Sequence, residues 1–192
     1  MPRYVCSDSP DVTYFFTVRA ASRGTDLFLR EIDPLRAAMR KTKDRYPFDI
    51  SEIVVLGDVI HTLWRLPDGD ADVSVRWRMI KSLFSRAVDA PAAVPGQHLR
   101  PGEKGVWQRR FWEYAIRDAD DLAAHRHMIW TAPVQAGLVK RPEQWPHSSI
   151  HRAVARGHYV PGGQVGAMHL PLRAHTTGAP SKLRDAVAAA PS

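Results

Sequence analysis

Short runs of β-branched and aromatic residues alternate along the chain with segments in which apolar residues recur every three or four positions. The runs predict strands, and the recurring positions predict helices that each bury one face. Strands are predicted at residues 13–18, 49–56, 59–66 and 106–116. Gly57 and Asp58 form a turn signal between the second and third strands, which should therefore pair as a hairpin.

Helices are predicted on either side of this hairpin. Asp33 and Pro34 are typical of the N-cap and first position of a helix, which should run to about residue 44 because Pro47 stops it. Ser74 is a candidate cap for a second helix that ends near residue 88. The predicted core-facing residues of this second helix are Val75, Met79, Ile80 and Leu83.

The chain beyond the fourth strand predicts two more helices and a tail. Asp118 and Asp121 resemble a capping box, and the helix that they open should end near residue 130 because Pro133 follows. A shorter helix is predicted at residues 147–156. From residue 161 the sequence is small, polar and rich in Ala and Pro, which indicates a disordered tail at 161–192 after one domain at 1–160.

The predicted element order β-α-β-β-α-β is typical of the ferredoxin-like (split βαβ) fold, in the α+β class. Such a chain forms an antiparallel sheet with helices packed on one face. The segment at 91–105, rich in Pro and Gly, is predicted to be a mobile loop. Because many unrelated proteins share this fold, the fold alone does not define a function.

Charge and composition narrow the class of partner. The 192 residues include 27 Lys and Arg against 20 Asp and Glu, a net charge of +7, which favours an acidic partner such as nucleic acid. Cys6 is the one cysteine, which excludes an internal disulfide and a cysteine-based zinc site. The N-terminus has no apolar signal segment, and no apolar run approaches the roughly 20 residues of a membrane span. We therefore expect a cytoplasmic protein without a membrane role.

Several motifs together carry a resemblance to a known family. They are VVLGDVIHTLW (54–64), RWRMIKSLFSR (76–86), VWQRRFWEYAIR (106–117), HRHMIWTAPVQAGLV (125–139) and WPHSS (145–149). In this order they resemble the REP-associated tyrosine transposases, a branch of the single-tyrosine HUH transposases that act on single-stranded DNA. The resemblance runs from about Tyr4 to Tyr159, which is most of the chain.

The resemblance implies a metal-assisted cleavage chemistry. Family members attack a phosphodiester with a tyrosine hydroxyl, which leaves a covalent phosphotyrosine, while a divalent metal polarises the phosphate. Two histidines spaced His-x-His on a strand hold the metal, since residues i and i+2 of a strand point to the same face. A further ligand, usually Asn or Gln, follows the tyrosine by four residues and so shares its helical face.

This chain departs from the family pattern at three of those four positions. The His-x-His motif falls on Val59 and His61, so the first histidine is replaced by valine. The tyrosine position falls on Met128, whose thioether has no proton to lose, and the ligand position falls on Ala132, which has no donor atom. The resemblance therefore implies a transposase-family protein that lacks its nucleophile and most of its metal ligands.

The sequence offers two candidates that could replace the missing groups. His125 lies on the same helical face as Met128 and, with His61, could form a two-histidine metal site; the alternative is a structural histidine. The second candidate is Tyr114 on the preceding strand, whose hydroxyl could act as the nucleophile. We expect no cofactor, and Mg²⁺ or Mn²⁺ if any cleavage activity remains.

DNA binding requires fewer of the family's residues than cleavage does. Arg109 and Arg110 beside Trp112 favour phosphate contact combined with base stacking; the alternative is a core tryptophan with solvated arginines. Arg78 and Lys81 fall on the polar face of the second helix and could contact phosphates, or could form an ordinary solvated face. The resemblance implies that the DNA is an imperfect hairpin of REP type next to a short single-stranded guide.

Three hypotheses follow from the sequence. The first is a transposase homologue that binds structured single-stranded DNA without cleaving it, as a monomer or a homodimer. The second is an active transposase or nuclease that uses substitute residues. The third is an RNA-binding or protein-interaction module on the same fold.

Overall fold

The computed structural model describes residues 12–89 and 104–161. Within these ranges, strands form one four-stranded antiparallel sheet in the order β2-β3-β1-β4. The strands are β1 (Thr13–Arg19), β2 (Asp49–Val55), β3 (Val59–Arg65) and β4 (Trp112–Ala115). The predicted loop at 91–105 lies outside the described residues up to position 103, and so does the predicted tail beyond Pro161.

Five α-helices and one 3₁₀ turn complete the described ranges. The helices are α1 (Leu27–Arg30), α2 (Ile32–Arg45), α3 (Val73–Ala87), α4 (Ala119–Gln135) and α5 (Ile150–Ala155). The 3₁₀ turn at Pro142–Gln144 lies between α4 and α5. None of the helices in the described part of the chain is long and apolar enough to cross a membrane.

The predicted ferredoxin-like α+β sheet is confirmed. Helix α2 connects β1 to β2, helix α3 connects β3 to β4, and the two helices pack together on one face of the sheet. Helix α4 packs on the opposite face, where its buried residues join those of β2 and β3. The sequence prediction of helices on one face therefore describes the two connecting helices, and α4 adds a further layer.

The face that α2 and α3 cover is dense in aromatic side chains, and we call it the aromatic face; on the sheet it carries Phe16, Val18, Ile60 and Trp64. The rings of Trp64 and Trp77 stack with their centroids 4.4 Å apart and their planes at 15°. Phe48 lies 4.3 Å from the Trp64 ring on another side. Because buried aromatic side chains remove large apolar areas from water, this face supplies much of the stability of the fold.

The predicted core stripe of α3 is corrected by the structure. Its buried residues are Val73, Arg76, Trp77, Ile80 and Phe84, so Ile80 is the one residue shared with the prediction. The N-cap is Asp72, whose carboxylate accepts a hydrogen bond from the Val75 N–H at 2.9 Å, rather than Ser74. Burial of the large aromatic rings determines which face of the helix turns inward.

Arg76 is buried in that stripe because its charge is fully partnered. Its guanidinium donates to the carbonyls of Pro47 and Asp72 and to the carboxylate of Asp70. The hydrogen bond to Arg76 holds the pKa of Asp70 below its ordinary value. An arginine can therefore occupy a position that a periodicity rule assigns to an apolar residue.

Two predicted boundaries near α4 are wrong. The strand predicted at 106–116 is β4 (Trp112–Ala115) alone, because Trp107 forms an isolated bridge with Ala20 and packs its ring 4.8 Å from Phe28. Helix α4 does not end before Pro133 but continues to Gln135. A proline removes one intrahelical hydrogen bond, and here the next turn still closes through the Leu138 N–H to the Pro133 carbonyl at 2.9 Å.

The outer edge of β2 is covered by the segment that enters α5. The Val55 N–H donates to the His147 carbonyl at 2.9 Å, and the Ser149 N–H donates to the Ile53 carbonyl at 2.8 Å. Further along, Arg152 donates to the carbonyls of Ile50 and Ser51. In the described part of the chain, β4 at the other edge pairs with β1 alone.

Candidate functional site

The candidate site lies on the sheet face that α4 covers, which we call the α4 face; its sheet residues include Phe15, Val59 and Leu63. Successive strand residues point to opposite faces, so Phe15, Thr17 and Arg19 of β1 share this face. Thr17 pairs with His61, and Arg19 pairs with Val59, in the antiparallel register of β1 and β3. These residues thus form two adjacent cross-strand pairs.

The four positions at which the family motif has its metal ligands and nucleophile lie close together in the structure. Val59 and Ala132 are buried in one apolar cluster, and the half-buried Met128 packs against it. His61 lies beside this cluster, with its imidazole stacked on the Phe15 ring at 6.0 Å and 10°. The four positions therefore lie together on one face of the sheet, and three of them, Val59, Met128 and Ala132, carry side chains without a nitrogen or oxygen atom.

The residues present do not fit the divalent metal that the resemblance implies. Among the four positions, His61 alone has a nitrogen or oxygen donor, since Val59 and Ala132 have aliphatic side chains and Met128 a thioether. Mg²⁺ and Mn²⁺ prefer carboxylate, carbonyl and water oxygens. Within the described ranges, no three His, Cys, Asp or Glu side chains are grouped so as to hold a metal ion.

His61 is held as a neutral imidazole. Its Nδ1 lies 2.9 Å from the Thr17 hydroxyl oxygen, to which it is hydrogen-bonded. Its pKa is lowered to about 4, mainly by burial and in addition by the positive charge of Arg19, while the carboxylate of Asp58 acts in the opposite direction. At neutral pH the imidazole therefore brings hydrogen-bonding capacity to the face but no charge.

His125 has structural contacts that favour the alternative to a metal ligand. Its Nδ1 lies 2.8 Å from the backbone carbonyl of Asp121 and 3.2 Å from one carboxylate oxygen of the same residue. Its ring packs 4.8 Å from Phe15 and 5.0 Å from Tyr114. One ring nitrogen of His125 is thus already committed, and a two-histidine site with His61 stays an untested prediction.

Tyr114 is placed as a hydrogen-bond donor rather than as a nucleophile. Its hydroxyl donates to the Asp121 carboxylate at 2.9 Å. Burial, followed by the hydrogen bond and negative charge of Asp121, raises the pKa of the phenol above its ordinary value. Because attack requires loss of the hydroxyl proton, this environment opposes the role of substitute nucleophile that the sequence left open.

Four of the five predicted DNA-contacting residues are exposed, and the fifth, Lys81, is half-buried. Trp112 is 52% exposed on β4, and Arg109 and Arg110 are exposed immediately before it. Arg78 is exposed on α3. Trp112 pairs in register with Thr17, so its indole shares the α4 face. The structure brings Trp112 beside the site, whereas Arg78 lies on a helix that covers the other face.

Lys81 is placed differently from a free phosphate-binding cation. Its ammonium donates to the Gln108 carbonyl at 2.9 Å and lies 5.7 Å and 5.4 Å from the ring centroids of Trp107 and Phe111. The Trp107 indole in turn donates to the Lys81 carbonyl at 3.2 Å. Burial lowers the pKa of the ammonium to about 8. These contacts anchor the segment that leads to Arg109.

Two charged residues of the site were missed by sequence reasoning. Arg19 ends β1 on the α4 face, and only its position two residues after Thr17 could have indicated this. Glu52 is buried on β2, where it accepts hydrogen bonds from the Trp130 indole at 2.9 Å and the Ser149 hydroxyl at 2.5 Å. Its other oxygen lies 3.2 Å from Nε of Arg126, so a carboxylate ties α4 to the sheet.

The chain is similar to named proteins over most of its length. It is 42% identical over 147 residues to the REP-associated tyrosine transposase of Escherichia coli strain K12, a match that covers 77% of this chain and 81% of that protein. It is 37% identical over 142 residues to a Haemophilus influenzae counterpart assigned to the same family, covering 73% of this chain and 81% of that one. No protein-family model matches the chain.

A solved structure agrees with these sequence matches. It is a REP-associated tyrosine transposase bound to a REP hairpin, which superposes on this chain with a TM-score of 0.69 and 40% sequence identity. The superposition covers 83% of this chain and 89% of that one. With this agreement in sequence and in fold, the chain belongs to the REP-associated tyrosine transposase family.

Proposed function

We propose that this protein binds structured single-stranded DNA of the REP-hairpin type and does not cleave it. The observation that carries the proposal is the combination of a preserved strand–helix site with Val59, Met128 and Ala132 in place of its reactive groups. The solved relative that is bound to a REP hairpin supports the choice of ligand.

Absence of cleavage follows from the chemistry of the side chains. A phosphodiester is cut in this family by a tyrosine oxygen, and Met128 offers a sulfur that cannot form a stable phosphoester. Tyr114 would have to break its hydrogen bond to Asp121 and lose a proton that its environment retains. No observation therefore favours a substitute nucleophile on the α4 face.

Retention of DNA binding follows from where the charges and rings lie. Cations neutralise phosphates, and an exposed aromatic side chain stacks on an unpaired base. Arg109, Arg110 and Trp112 are exposed in one stretch of chain at the edge of the α4 face. Lys81 holds that stretch against α3 through the Gln108 carbonyl. The net charge of +7 adds long-range attraction to any nucleic acid.

A fluorescence-anisotropy titration tests the proposal. The probe is a labelled REP-type hairpin with a short single-stranded 5′ extension, compared with an unstructured oligonucleotide of equal length and with the matching RNA hairpin. We expect tighter binding of the DNA hairpin at moderate salt, and no covalent protein–DNA product after incubation with Mg²⁺ or Mn²⁺. Equal binding of all three probes, or preference for the RNA, would contradict the binding claim, and a covalent product would contradict the absence of cleavage.

Size-exclusion chromatography with light scattering, with and without the hairpin, would define the assembly. A monomer and a homodimer are both compatible with the proposed function. In either state the hairpin is the ligand, so the measurement specifies stoichiometry rather than function.

A further inference from the structure

A phosphate bound on the α4 face needs a positive charge beside it, and the residues there do not fit a metal ion that would supply one. In a metal-assisted site the cation supplies the positive charge that a phosphodiester oxygen needs. Val59 and Ala132 supply no ligand for such a cation, which leaves His61 as the one nitrogen donor among the four positions. A protein cation in the same place would provide the missing charge without any metal.

Arg19 lies in that place. In the β1–β3 register it is directly opposite Val59, the position of the missing histidine, and diagonal to His61. Directly opposed side chains have Cβ atoms about 5 Å apart, and diagonal neighbours are within reach of a long side chain. Arg19 is the last residue of β1 and is half-buried, so its side chain leaves the backbone close to the site.

The guanidinium of Arg19 has no competing partner in the described ranges. No hydrogen bond or ion pair joins its side chain to another described residue. The nearby carboxylate of Asp58 is engaged elsewhere, since it accepts a hydrogen bond from the Gly24 N–H at 3.0 Å. A half-buried guanidinium that lacks a protein acceptor retains its capacity to bind an external anion.

Trp112 completes the surroundings of Arg19. It pairs with Thr17 on β4, so Trp112 and Val59 flank β1 on opposite sides of the α4 face. Trp112 is diagonal to Arg19 across the β1–β4 ladder. A nucleotide whose base stacks on this exposed indole would carry its phosphate toward the guanidinium.

We propose that Arg19 replaces the lost metal as the cation of the α4 face and binds a phosphodiester of single-stranded DNA, next to a base stacked on Trp112. This inference rests on the proposed function and adds a residue and a ligand group to it. Binding at this site is then independent of divalent metal. The bidentate geometry of a guanidinium suits two phosphate oxygens.

The test uses the full chain, EDTA and the hairpin probe with its single-stranded extension. We expect Arg19→Gln to weaken binding roughly tenfold at moderate salt and to reduce the slope of log affinity against log salt by about 0.7, the contribution of one single-strand phosphate contact. Arg19→Lys should keep the slope but lose part of the affinity. Arg40→Gln removes the same charge from an exposed position on α2, on the other side of the sheet, and should leave both quantities near wild type.

The outcomes separate this inference from the proposed function. If the wild type binds the hairpin and Arg19→Gln behaves like Arg40→Gln, the Arg19 site is wrong and the proposed function stands. Binding that disappears in EDTA and returns with Mn²⁺ also overturns the Arg19 site, because a metal would then supply the charge. If the wild type does not bind the hairpin, both proposals are wrong. Thermal melting of each variant confirms folding. If Arg19→Gln fails to fold, the affinity of Arg19→Lys decides: a loss supports the Arg19 site, and wild-type affinity overturns it.

Discussion

The two faces of the sheet differ in what their buried side chains can do. The aromatic face buries stacked rings such as Trp64 on Trp77. The α4 face buries Val59 and Ala132 where reactive groups are expected, while Glu52 still holds α4 in place. One face therefore stabilises the fold through stacked rings, while the other keeps a packed strand–helix arrangement with apolar side chains at Val59 and Ala132.

The largest effect is expected from rebuilding the chemistry of the α4 face. We expect Val59→His, Met128→Tyr and Ala132→Asn together to produce nicking of a hairpin substrate with Mn²⁺ or Mg²⁺, because ligands and nucleophile then share the retained geometry. Each single change should give none, since it leaves the site without a ligand or without the tyrosine. The measurement is a covalent protein–DNA adduct on a denaturing gel.

A matched control for that experiment is the same triple change with Phe instead of Tyr at Met128. It restores the ligands without a nucleophile, and no adduct should form. An adduct from the control, or from Val59→His or Ala132→Asn alone, would show that the nucleophile lies elsewhere on the protein. An adduct from Met128→Tyr alone would show that the added ligands are not required.

The second-largest expected effect is a loss of stability when a ring of the aromatic face is removed. Trp64→Ala should destabilise the protein by about 3–5 kcal/mol, because it deletes a ring that is fully buried among Phe16, Phe48 and Trp77. The free energy of unfolding in urea measures this. The exposed Trp112→Ala provides the control and should change stability by less than about 0.5 kcal/mol. Similar losses in the two variants would remove the distinction between the faces.

A pH dependence is expected from His61. Its folded pKa of about 4 lies below the ordinary value of 6.5, so the unfolded chain binds a proton between these values and the folded chain does not. Stability from this group is therefore fully present above pH 6.5 and is lost as the pH falls toward 4, by at most about 3 kcal/mol. In His61→Asn the loss of stability between pH 7 and pH 4.5 should be smaller by that amount. The exposed His158→Asn should keep the wild-type dependence.

The smallest effect is expected at Lys81. We expect Lys81→Met to cost about 1 kcal/mol through loss of the bond to the Gln108 carbonyl, while its apolar stem is preserved. The folded pKa of about 8 lies below 10.5, so wild-type stability should rise between pH 8 and 10.5, and this rise should vanish in the variant. The salt dependence of DNA binding should stay unchanged. A slope lower by one phosphate contact would instead show that Lys81 touches DNA directly.

Much of the fold could be predicted from the chain because each strand run and each connecting helix has its own local signal. The layer formed by α4 could not be, because the buried residues of this helix at Ile129–Pro133 are consecutive rather than spaced at helical intervals. Consecutive burial arises when the sheet on one side and the segment around α5 on the other cover a helix. Local periodicity does not contain that information.

The candidate site could be predicted where it depends on aligned motifs and not where it depends on pairing between strands. His61, Met128 and their neighbours follow from the order of motifs along the chain. Arg19 comes opposite Val59 only through the register of β1 and β3, which alternation within one strand does not define. The anchoring of Lys81 likewise needs the folded position of Gln108.

The covered edge of β2 has a consequence for assembly. Since Arg152 and the His147–Ser149 backbone occupy its carbonyl and amide groups, a second sheet has no ladder to join there. In the described part of the chain that leaves β4 as the edge with groups to offer. Two copies that pair through their β4 strands would be related by a twofold axis. The joined sheet would then have a covered β2 strand at each end. Edge-to-edge growth through the described strands would then stop at a pair of chains, which permits a dimer but not a longer row.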